Sequence, residues 1–458
     1  MRCATFFAAL SLLLLSFALG AQDIWMVKKM GELTTADFYL MEIGSPQTGI
    51  TIGKKSSGGN DELICFYMTN GEQWNPCPAN ITNFSMSGGA FLLGAKYASA
   101  TELYAVRTEV QGMSGTTALV KLDSNLFNMI VLKVFDNNTD TENGTIEVRG
   151  DTIWLGSTDG RIYKSTDGGN TFQTYTVTAD DKVEIRFIRF WDDQNGYVAG
   201  GATEEGTDSM GQTVTTLLEK GGIWMTTDGG ETWTALVENQ PYEFLKVQDL
   251  VTLDGGNLPG GNWYALYTDA DSYGSGGTVT KHLGLTTDNF ATITEVSPTA
   301  NTGRKFNGYD VGGIDFLGKK EFWLGGYATD FKACSMVTYD GGATWIEMFL
   351  PTQVAEGTNF MWGFKAQKFY DSHHGYAAGS LNTIFKYGDP NEVYEQPDTE
   401  QPDDAVDHTP TADDISDQSD LSDGSDPSDI TDTDTGTADD SDTLLLEEGT
   451  ACGCTLAY

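Results

Sequence analysis

Basic residues are scarce in this sequence, and they stop well before its end. The chain has 26 Lys and Arg residues against 66 Asp and Glu residues, and the last basic one is Lys386. Residues 389–458 hold 22 of the acidic residues, and the part before them still has a net charge of −18. This balance argues against binding to nucleic acid or to anionic lipid through bulk electrostatics.

Long apolar runs are also missing after the amino terminus. Arg2 precedes an apolar stretch from Phe6 to Leu19, and small residues follow at its end. This pattern predicts a secretory signal over residues 1–20, cut before Ala21. No later segment has the about eighteen consecutive apolar residues of a spanning helix, so we expect no transmembrane segment. The sequence therefore predicts a protein that is secreted or held at the cell surface.

Cysteine is limited to six residues. Cys3 lies in the predicted signal, and Cys452 and Cys454 lie near the end of the chain. Cys65 and Cys77 are therefore the candidate disulfide pair, which export would permit. Closing a loop of this length stabilises a fold by about 3 kcal/mol in the chain-entropy model. The remaining cysteine, Cys334, is interpreted as a small buried strand residue.

One eight-residue motif recurs in a region rich in Gly, Thr, Val, Ile and aromatic residues. We call it the octet: a hydroxyl residue, then Asp-Gly-Gly, a Thr and a closing aromatic residue. Full copies begin at Ser165, Thr226 and Thr338, a degenerate copy begins at Thr286, and a shorter one spans Thr69 to Trp74. The octet residues singled out are Asp167, Gly168, Gly169, Phe172, Asp228, Gly229, Gly230, Trp233, Asp288, Asp340, Gly341, Gly342 and Trp345.

The octets resemble the Asp-box, or BNR, repeat of sialidases, sortilin-type receptors, xyloglucanases and the photosystem II stability and assembly factor family. Strands of the form Gly-aromatic-x-x-Gly accompany them, at Gly196–Gly200 and Gly375–Gly379. This combination is most similar to the assembly-factor branch. The resemblance implies a β-propeller.

The spacing of the octets predicts the number of blades. Successive copies from Ser165 onward begin 61, 60 and 52 residues apart. The longer gap before Ser165 has room for two units, one with a hairpin around Lys121–Asn125, and Gly375–Tyr387 indicates a final unit. The prediction is an all-β fold, a single propeller over residues 21–389 with seven four-stranded blades. Ile24–Val27 is predicted to close the ring by pairing with the last blade.

Residues 390–450 change to Asp, Ser, Thr, Pro and Gln, and this composition predicts a disordered acidic linker. Weak, diffuse calcium attraction is an alternative role for it, although the regular spacing of an EF-hand is missing. The last segment, 451–458, resembles the start of the cysteine-containing sorting signals on surface proteins of myxobacteria. The hydrophobic helix and Arg cluster of those signals are absent, so surface anchoring through Cys452 and Cys454 and two unanchored thiols both stay open.

The chemistry of the octet is explained by a tight turn. Paired glycines accept positive φ, and the Asp and hydroxyl side chains satisfy backbone N–H groups of the turn. We therefore expect the octet aspartates to be structural rather than catalytic. His373 and His374 align within the chain with Gln194 and Asn195 before a Gly-Tyr pair, which places them in a turn and not in a metal site.

Two functional hypotheses remain. A sialidase needs three converging arginines, and the Arg-Ile-Pro segment that opens sialidase propellers is absent. This chain has six arginines after the predicted signal, which are the candidates for such a group: Arg107, Arg149, Arg161, Arg186, Arg189 and Arg304. Acid–base catalysis would need two facing carboxylates, for which the candidates near strands are Glu184, Asp192, Asp193, Asp310, Asp315 and Asp371.

The segment Lys182–Trp191 is the most distinctive candidate for binding, because Arg186 and Arg189 alternate with aromatic and aliphatic residues. A phosphate loop, zinc-type spacing and a dinucleotide fingerprint are all absent, so no cofactor or metal is expected. Our first hypothesis is an exported, monomeric, non-enzymatic propeller that binds a protein or a glycan. The alternative is a glycoside hydrolase, sialidase-like or another exo-glycosidase, which clustered arginines or two facing carboxylates at the channel mouth would favour.

Overall fold

The computed structural model of the chain describes residues 24–392 with short gaps. The predicted signal, the acidic linker from residue 393 onward, Cys452 and Cys454 lie outside the described residues. Within the described part, no helix is long and apolar enough to cross a bilayer. The gaps are 30–35, 58–59, 79–80, 82–87, 112–113, 124, 127, 136–143, 208–210, 212, 250–261, 274–279, 309–310, 319, 331, 349, 351–363 and 380–382.

The protein is an all-β propeller of seven four-stranded antiparallel blades, as predicted. Blade 1 contains β2 (Ala36–Ser45), β3 (Thr48–Ser57), β4 (Asn60–Met68) and β5 (Asn75–Pro76), and blade 2 contains β6 (Gly88–Ser99), β7 (Glu102–Gln111), β8 (Ser114–Asp123) and β9 (Met129–Phe135). Blade 3 contains β10 (Ile146–Arg149), β11 (Thr152–Gly156), β12 (Arg161–Ser165) and β13 (Gln173–Thr176).

Blades 4 and 5 carry insertions. Blade 4 contains β14 (Glu184–Phe190), β15 (Gly196–Gly201), β18 (Gly221–Thr226) and β19 (Thr234–Gln240), with the inserted hairpin β16 (Thr203–Thr207) and β17 (Thr213–Leu217). Blade 5 contains β20 (Tyr242–Asp249), β21 (Trp263–Asp269), the short helix α1 (Ala270–Tyr273), β22 (His282–Thr286) and β23 (Thr294–Glu295).

The ring closes between the two ends of the propeller. Blade 6 contains β24 (Gly313–Phe316), β25 (Phe322–Tyr327), β26 (Ala333–Thr338) and β27 (Ile346–Met348), and blade 7 contains β28 (Phe364–Asp371), β29 (His374–Gly379) and β30 (Thr383–Gly388). The fourth strand of blade 7 is β1 (Ile24–Lys29), which runs antiparallel to β30. The predicted ring closure by Ile24–Val27 is therefore confirmed.

Seven apolar cores hold the blades together, one between each pair of neighbours. Two of these cores contain the same contact. In each, a tryptophan on the second strand of one blade stacks on a phenylalanine in the first strand of the next blade. Trp154 lies 4.0 Å from Phe190, and Trp323 lies 4.2 Å from Phe369, measured between ring centroids. The middle strands of each blade are covered on both faces by the neighbouring blades. Their sequences are therefore continuous apolar runs and do not alternate between apolar and polar residues.

The first strand of each blade is the innermost one, since first strands of neighbouring blades contact one another around the axis. In five blades this strand is interrupted by a bulge, which re-aims the following side chains. The bulged positions nearest the starts of these strands are Tyr39, Leu93, Arg186, Leu245 and Lys365, and β2, β6 and β28 each have a second register shift near their ends.

The strand order defines two faces of the propeller. The octet face carries the turns between first and second strands and between third and fourth strands. The mouth face carries the connections between second and third strands and the beginnings of the innermost strands. The inserted hairpin β16–β17 and helix α1 belong to the mouth face, and they contact each other.

Candidate binding channel

The octets form tight turns held by their own side chains. In the copy that begins at Ser165, its Oγ donates to Asp167 Oδ1 at 2.8 Å and accepts from Gly169 N at 2.8 Å. Asp167 also accepts from the backbone and side chain of Thr171, at 2.9 and 2.6 Å. Gly168 and Gly169 have φ values of 69° and 91°, which only glycine adopts without strain.

The other octets repeat this arrangement on separate blades. Asp228, Asp288 and Asp340 each accept from a hydroxyl two residues before them and from the Thr four residues after them. In the shorter copy, Asn70 Oδ1 accepts from the backbone of Glu72 and Gln73. The hydrogen bonds from Thr171 lower the pKa of Asp167 to about 2, so this carboxylate is ionised at neutral pH. The octet aspartates therefore cannot act as proton donors there.

Asp228→Ala is expected to lower the free energy of unfolding by about 1–2 kcal/mol, because the turn loses several hydrogen bonds of modest net strength. Binding of any ligand at the channel should be unchanged. Chemical denaturation followed by tryptophan fluorescence measures the first effect and a binding titration the second. A large loss of binding at wild-type stability would contradict the structural role.

The remaining octet and turn residues also pack within the fold. Trp233 and Trp345 donate from their indole nitrogens to Gly230 O and Gly342 O, at 3.1 and 3.0 Å. A disulfide joins Cys65 to Cys77 within blade 1. His374 is the first residue of β29, directly after the turn from β28, and its ring contacts Asp371 and Glu392.

A ring of polar residues lines the axis of the propeller, one from the innermost strand of each blade. Each ring residue is the Cα partner of a residue on the second strand, and in six blades that partner is a Tyr or Trp. We call this set the channel ring. Its members are Glu42, Lys96, Glu147, Arg189, Gln248, Asp315 and Lys368.

Ion pairs run between neighbouring blades in the first part of the ring. Lys96 Nζ lies 3.9 Å from Glu42 and 3.5 Å from Glu147, so one lysine is shared by two carboxylates. These carboxylates raise the pKa of Lys96, which stays protonated. Glu42 and Glu147 are therefore both paired with one permanent cation.

Asp315 is the centre of the opposite part of the ring. Its side chain is 1% exposed, and it accepts from Lys368 Nζ and from Phe369 N, both at 2.7 Å. Lys246, two residues before the ring position in blade 5, approaches the same carboxylate at 3.7 Å. Burial alone would raise the pKa of Asp315, but the two ammonium groups outweigh it and hold the pKa at about 2.

The structure brings both predicted binding arginines to the channel. Arg186, at the bulge of β14, forms ion pairs with Glu184 and with Glu243 of the next blade. Arg189 lies three residues further along β14 and donates to the side-chain oxygen of Gln248. These arginines therefore lie deeper than the surface patch that alternation alone would indicate.

The channel contains a cavity of about 590 Å³, and its lining includes Tyr39, a residue that is 46% exposed. Apolar and charged groups share its wall. Its lining includes Tyr39, Leu40, Glu42, Lys96, Glu147, Arg149, Arg186, Phe187, Arg189, Lys246 and Lys368. This volume suits a small molecule or the end of a larger one.

The other candidate residues are spread around the fold. Arg149 lines the cavity but also lies 3.4 Å from Asp193. Arg304 is held by Asp330 and Glu347 within blade 6, and Arg161 pairs with Asp159 in blade 3. Across the described ranges, no group of three or more His, Cys, Asp or Glu side chains is arranged to hold a metal ion.

The sequence carried a signal for the channel ring that the motif search missed. In five blades the ring residue precedes its Cα partner on the second strand by eight positions, for example Arg189 before Tyr197 and Asp315 before Trp323. A charged residue at that distance before the Gly-aromatic strand therefore marks the channel. In blade 5 the spacing is longer because residues 250–261 intervene.

Comparison with known proteins gives structural neighbours but no family. No family model and no curated protein matches this chain. YCF48 from Cyanidioschyzon merolae is 13% identical over 81% of this chain and 100% of its own, with a TM-score of 0.44. YCF48 bound to a D1 peptide gives 13% identity, coverage of 80% and 97%, and a TM-score of 0.44. The GH74 xyloglucanase from Xanthomonas campestris gives 14% identity, coverage of 79% and 53%, and a TM-score of 0.46.

Proposed function

We propose that this chain is an exported, non-enzymatic binding protein that receives a protein or glycan partner at the mouth face. The observation that carries the proposal is the charged cavity of the channel, whose lining includes the exposed residue Tyr39. Aromatic and arginine side chains at the rim and wall of a concave site are the groups that contribute most to affinity.

The charges in the channel favour binding over acid–base catalysis. A glycosidase needs one carboxyl group that is protonated and one that is ionised, at a fixed separation. Here Glu42 and Glu147 share Lys96, and Asp315 is held ionised by two lysines. The described carboxylates of the ring are thus committed to ion pairs, which suits a rigid, charged recognition surface.

The mouth face also offers more surface than a plain propeller. The hairpin β16–β17 extends blade 4, and α1 packs against it from blade 5. Exposed side chains follow one strand of the hairpin, from Glu204 to Thr207. Loops supported by a rigid scaffold are the usual place for recognition.

Two exposed tyrosines on opposite faces provide a matched test. Tyr39 lines the cavity at the mouth face, and Tyr339, 48% exposed, lies in an octet. The full chain would be screened against a glycan array and against extracellular proteins of its source. For the ligands captured, Tyr39→Ala is expected to weaken binding about tenfold or more, as interface aromatics do, and Tyr339→Ala to leave it unchanged. The reverse pattern would place the binding surface on the octet face.

Glycoside hydrolysis is the second candidate, and one observation favours it. Arg149, Arg186 and Arg189 all line the same cavity, as three arginines that bind one carboxylate must. Two of them are already paired with protein carboxylates, Arg149 with Asp193 and Arg186 with Glu243. Release of methylumbelliferone from a panel of aryl glycosides, including a sialoside, tests this function. Turnover that disappears in Glu147→Gln would establish the enzyme and overturn the binding role.

The proposal includes several features of the whole chain. The octets are Asp-box repeats, residues 1–20 direct export, and the acidic segment after the propeller is a spacer or an anchor at the surface. The propeller acts as a monomer without a cofactor. Fractionation of source cells, with mass spectrometry of the mature termini, tests export, cleavage and anchoring together.

A further inference from the structure

Charge is distributed unevenly around the channel. On blades 1 to 3, Lys96 is balanced by two carboxylates, Glu42 and Glu147. On blades 4 to 7, Arg186 is paired with Glu184 and Glu243. The other three cations, Arg189, Lys246 and Lys368, have only the carboxylate of Asp315 near them. In a protein with a net charge of −40, this half of the channel is locally positive.

Arg189 is the cation with the least compensation. It donates to Gln248, a neutral acceptor, and makes no ion pair with any carboxylate in the part of the chain that the structure describes. By contrast, Arg186 on the same strand is held by Glu184 and Glu243. A guanidinium has five N–H donors, so one that lines a cavity and is bound only to an amide oxygen still has N–H groups to donate to a ligand.

Lys246 is a second cation in the channel, and its protonation can change when a ligand binds. Burial lowers its pKa to about 7, Asp315 opposes this shift, and Lys368, Arg189 and Lys96 lower the pKa further. Its ammonium donates to Ile314 O across the blade boundary. An anion placed beside it would favour the protonated form and raise its pKa.

We propose that the central channel is an anion site in which Arg189, together with Lys246 and Lys368, binds a carboxylate group of the ligand. The site uses one arginine and two lysines from three blades. Lys246 and Lys368 share the single carboxylate of Asp315, whereas Arg149 and Arg186 each pair with carboxylates of their own. This inference rests on the proposed binding function and deepens it by naming the chemical group that is recognised.

The surroundings favour a carboxylate over a larger, more highly charged oxyanion. The planar fork of an arginine matches the two oxygens of a carboxylate. Leu40 and Phe187 line the cavity beside the charges, and apolar walls strengthen the attraction and suit an organic ligand. A doubly charged oxyanion would instead meet Glu42 and Glu147 on the opposite wall.

Calorimetric titration of the full chain tests the site with three probes. N-acetylglycine represents a peptide carboxylate, glucuronic acid a glycan carboxylate, and sulfate an inorganic anion. We expect a carboxylate probe to bind, and Arg189→Gln to weaken it about tenfold or more. Arg161→Gln, which removes an arginine paired with Asp159 outside the channel, is the matched control and should change nothing.

The relative affinities of the two carboxylate probes identify the source of the ligand, a peptide or a glycan. Sulfate binding without either carboxylate would overturn the assignment of the ligand class. Equal affinities of the wild type and Arg189→Gln, or equal losses in Arg189→Gln and Arg161→Gln, would overturn the site itself.

Proton coupling supplies a second readout that general electrostatics would not produce. Carboxylate affinity of the wild type should fall several-fold between pH 6 and pH 8, as Lys246 loses its charge above about pH 7. At pH 8 binding should take up a proton, seen as a heat that depends on the ionisation enthalpy of the buffer. Lys246→Arg keeps the charge and should bind at both pH values without proton uptake. A pH profile and buffer dependence that are the same in both proteins would contradict the role of Lys246.

The two proposals can fail separately. If carboxylate probes bind the channel but no partner depends on Tyr39, the anion site stands and the mouth-face function fails. If a partner depends on Tyr39 but not on Arg189, the binding function stands and the carboxylate site fails.

Discussion

Asp315→Ala is expected to lower the free energy of unfolding by about 3 kcal/mol, a large effect for one side chain near the axis. The carboxylate is buried and accepts from Lys368 and from the backbone of Phe369, while Lys246 lies beside it. Removing it leaves the Lys368 ammonium uncompensated, deprives Lys246 of the carboxylate that favours its charged form, and leaves a buried N–H without its acceptor. Denaturant unfolding followed by tryptophan fluorescence measures the change.

Asp330→Ala is the matched control, because its carboxylate also pairs with a cation but is 48% exposed. An exposed pair of this kind contributes about 0–1 kcal/mol. Comparable losses in the two variants would show that Asp315 has no special part in holding the blades together.

The contribution of Asp315 should also depend on pH in a defined direction. Its pKa is about 2 in the folded protein and about 3.9 in an unfolded chain, so the ionised form is favoured by folding. Its stabilisation is therefore fully present above about pH 4 and is lost as the pH falls towards 2. Comparing the wild type with Asp315→Asn across this range should show the difference in stability shrinking as the pH falls.

Deletion of residues 21–30 is expected to abolish soluble, folded protein. These residues include β1, which supplies the fourth strand of blade 7 and pairs with β30 from Ile24 to Lys29. Trp25 is 2% exposed and lies 4.9 Å from Phe364 and 5.4 Å from Tyr387, measured between ring centroids. Without β1, the apolar core between blades 6 and 7 and the edge of β30 would both meet solvent.

A milder variant keeps this prediction measurable. Trp25→Ala should cost about 3–5 kcal/mol, as removal of a buried tryptophan does, while Met26→Ala, a partly exposed neighbour, should cost about 1 kcal/mol or less. Size-exclusion chromatography and thermal unfolding report both. Wild-type stability of Trp25→Ala would contradict the closure of the ring by β1.

The fold could be predicted because its determinants are local and repeated. The octet at Ser165 is a complete turn whose hydrogen bonds lie within eight residues, so its residue types appear together in the sequence. Their period then gave the number of blades, even for blade 2, where the turn after Asp123 lacks the octet. The pairing of Ile24–Val27 with the last blade could be predicted because this strand precedes the first blade and belongs to no other one.

The site was harder to predict because it is assembled from every blade. Arg189 and Gln248 are 59 residues apart, and Lys368 and Asp315 are 53 apart. The alternation around Arg186 and Arg189 identified one wall of the channel, but Lys96, Lys246 and Asp315 stand in strands without a distinctive motif. Their roles depend on which side chains the ring closure brings together, and composition does not contain that information.

A crystal structure of the full chain grown with N-acetylglycine would show whether recognition occurs in the channel or at the octets. We expect a carboxylate in the channel within hydrogen-bonding distance of the Arg189 guanidinium, with Lys246 or Lys368 beside it. A ligand bound only at the octet face, with the channel filled by water alone, would contradict this expectation.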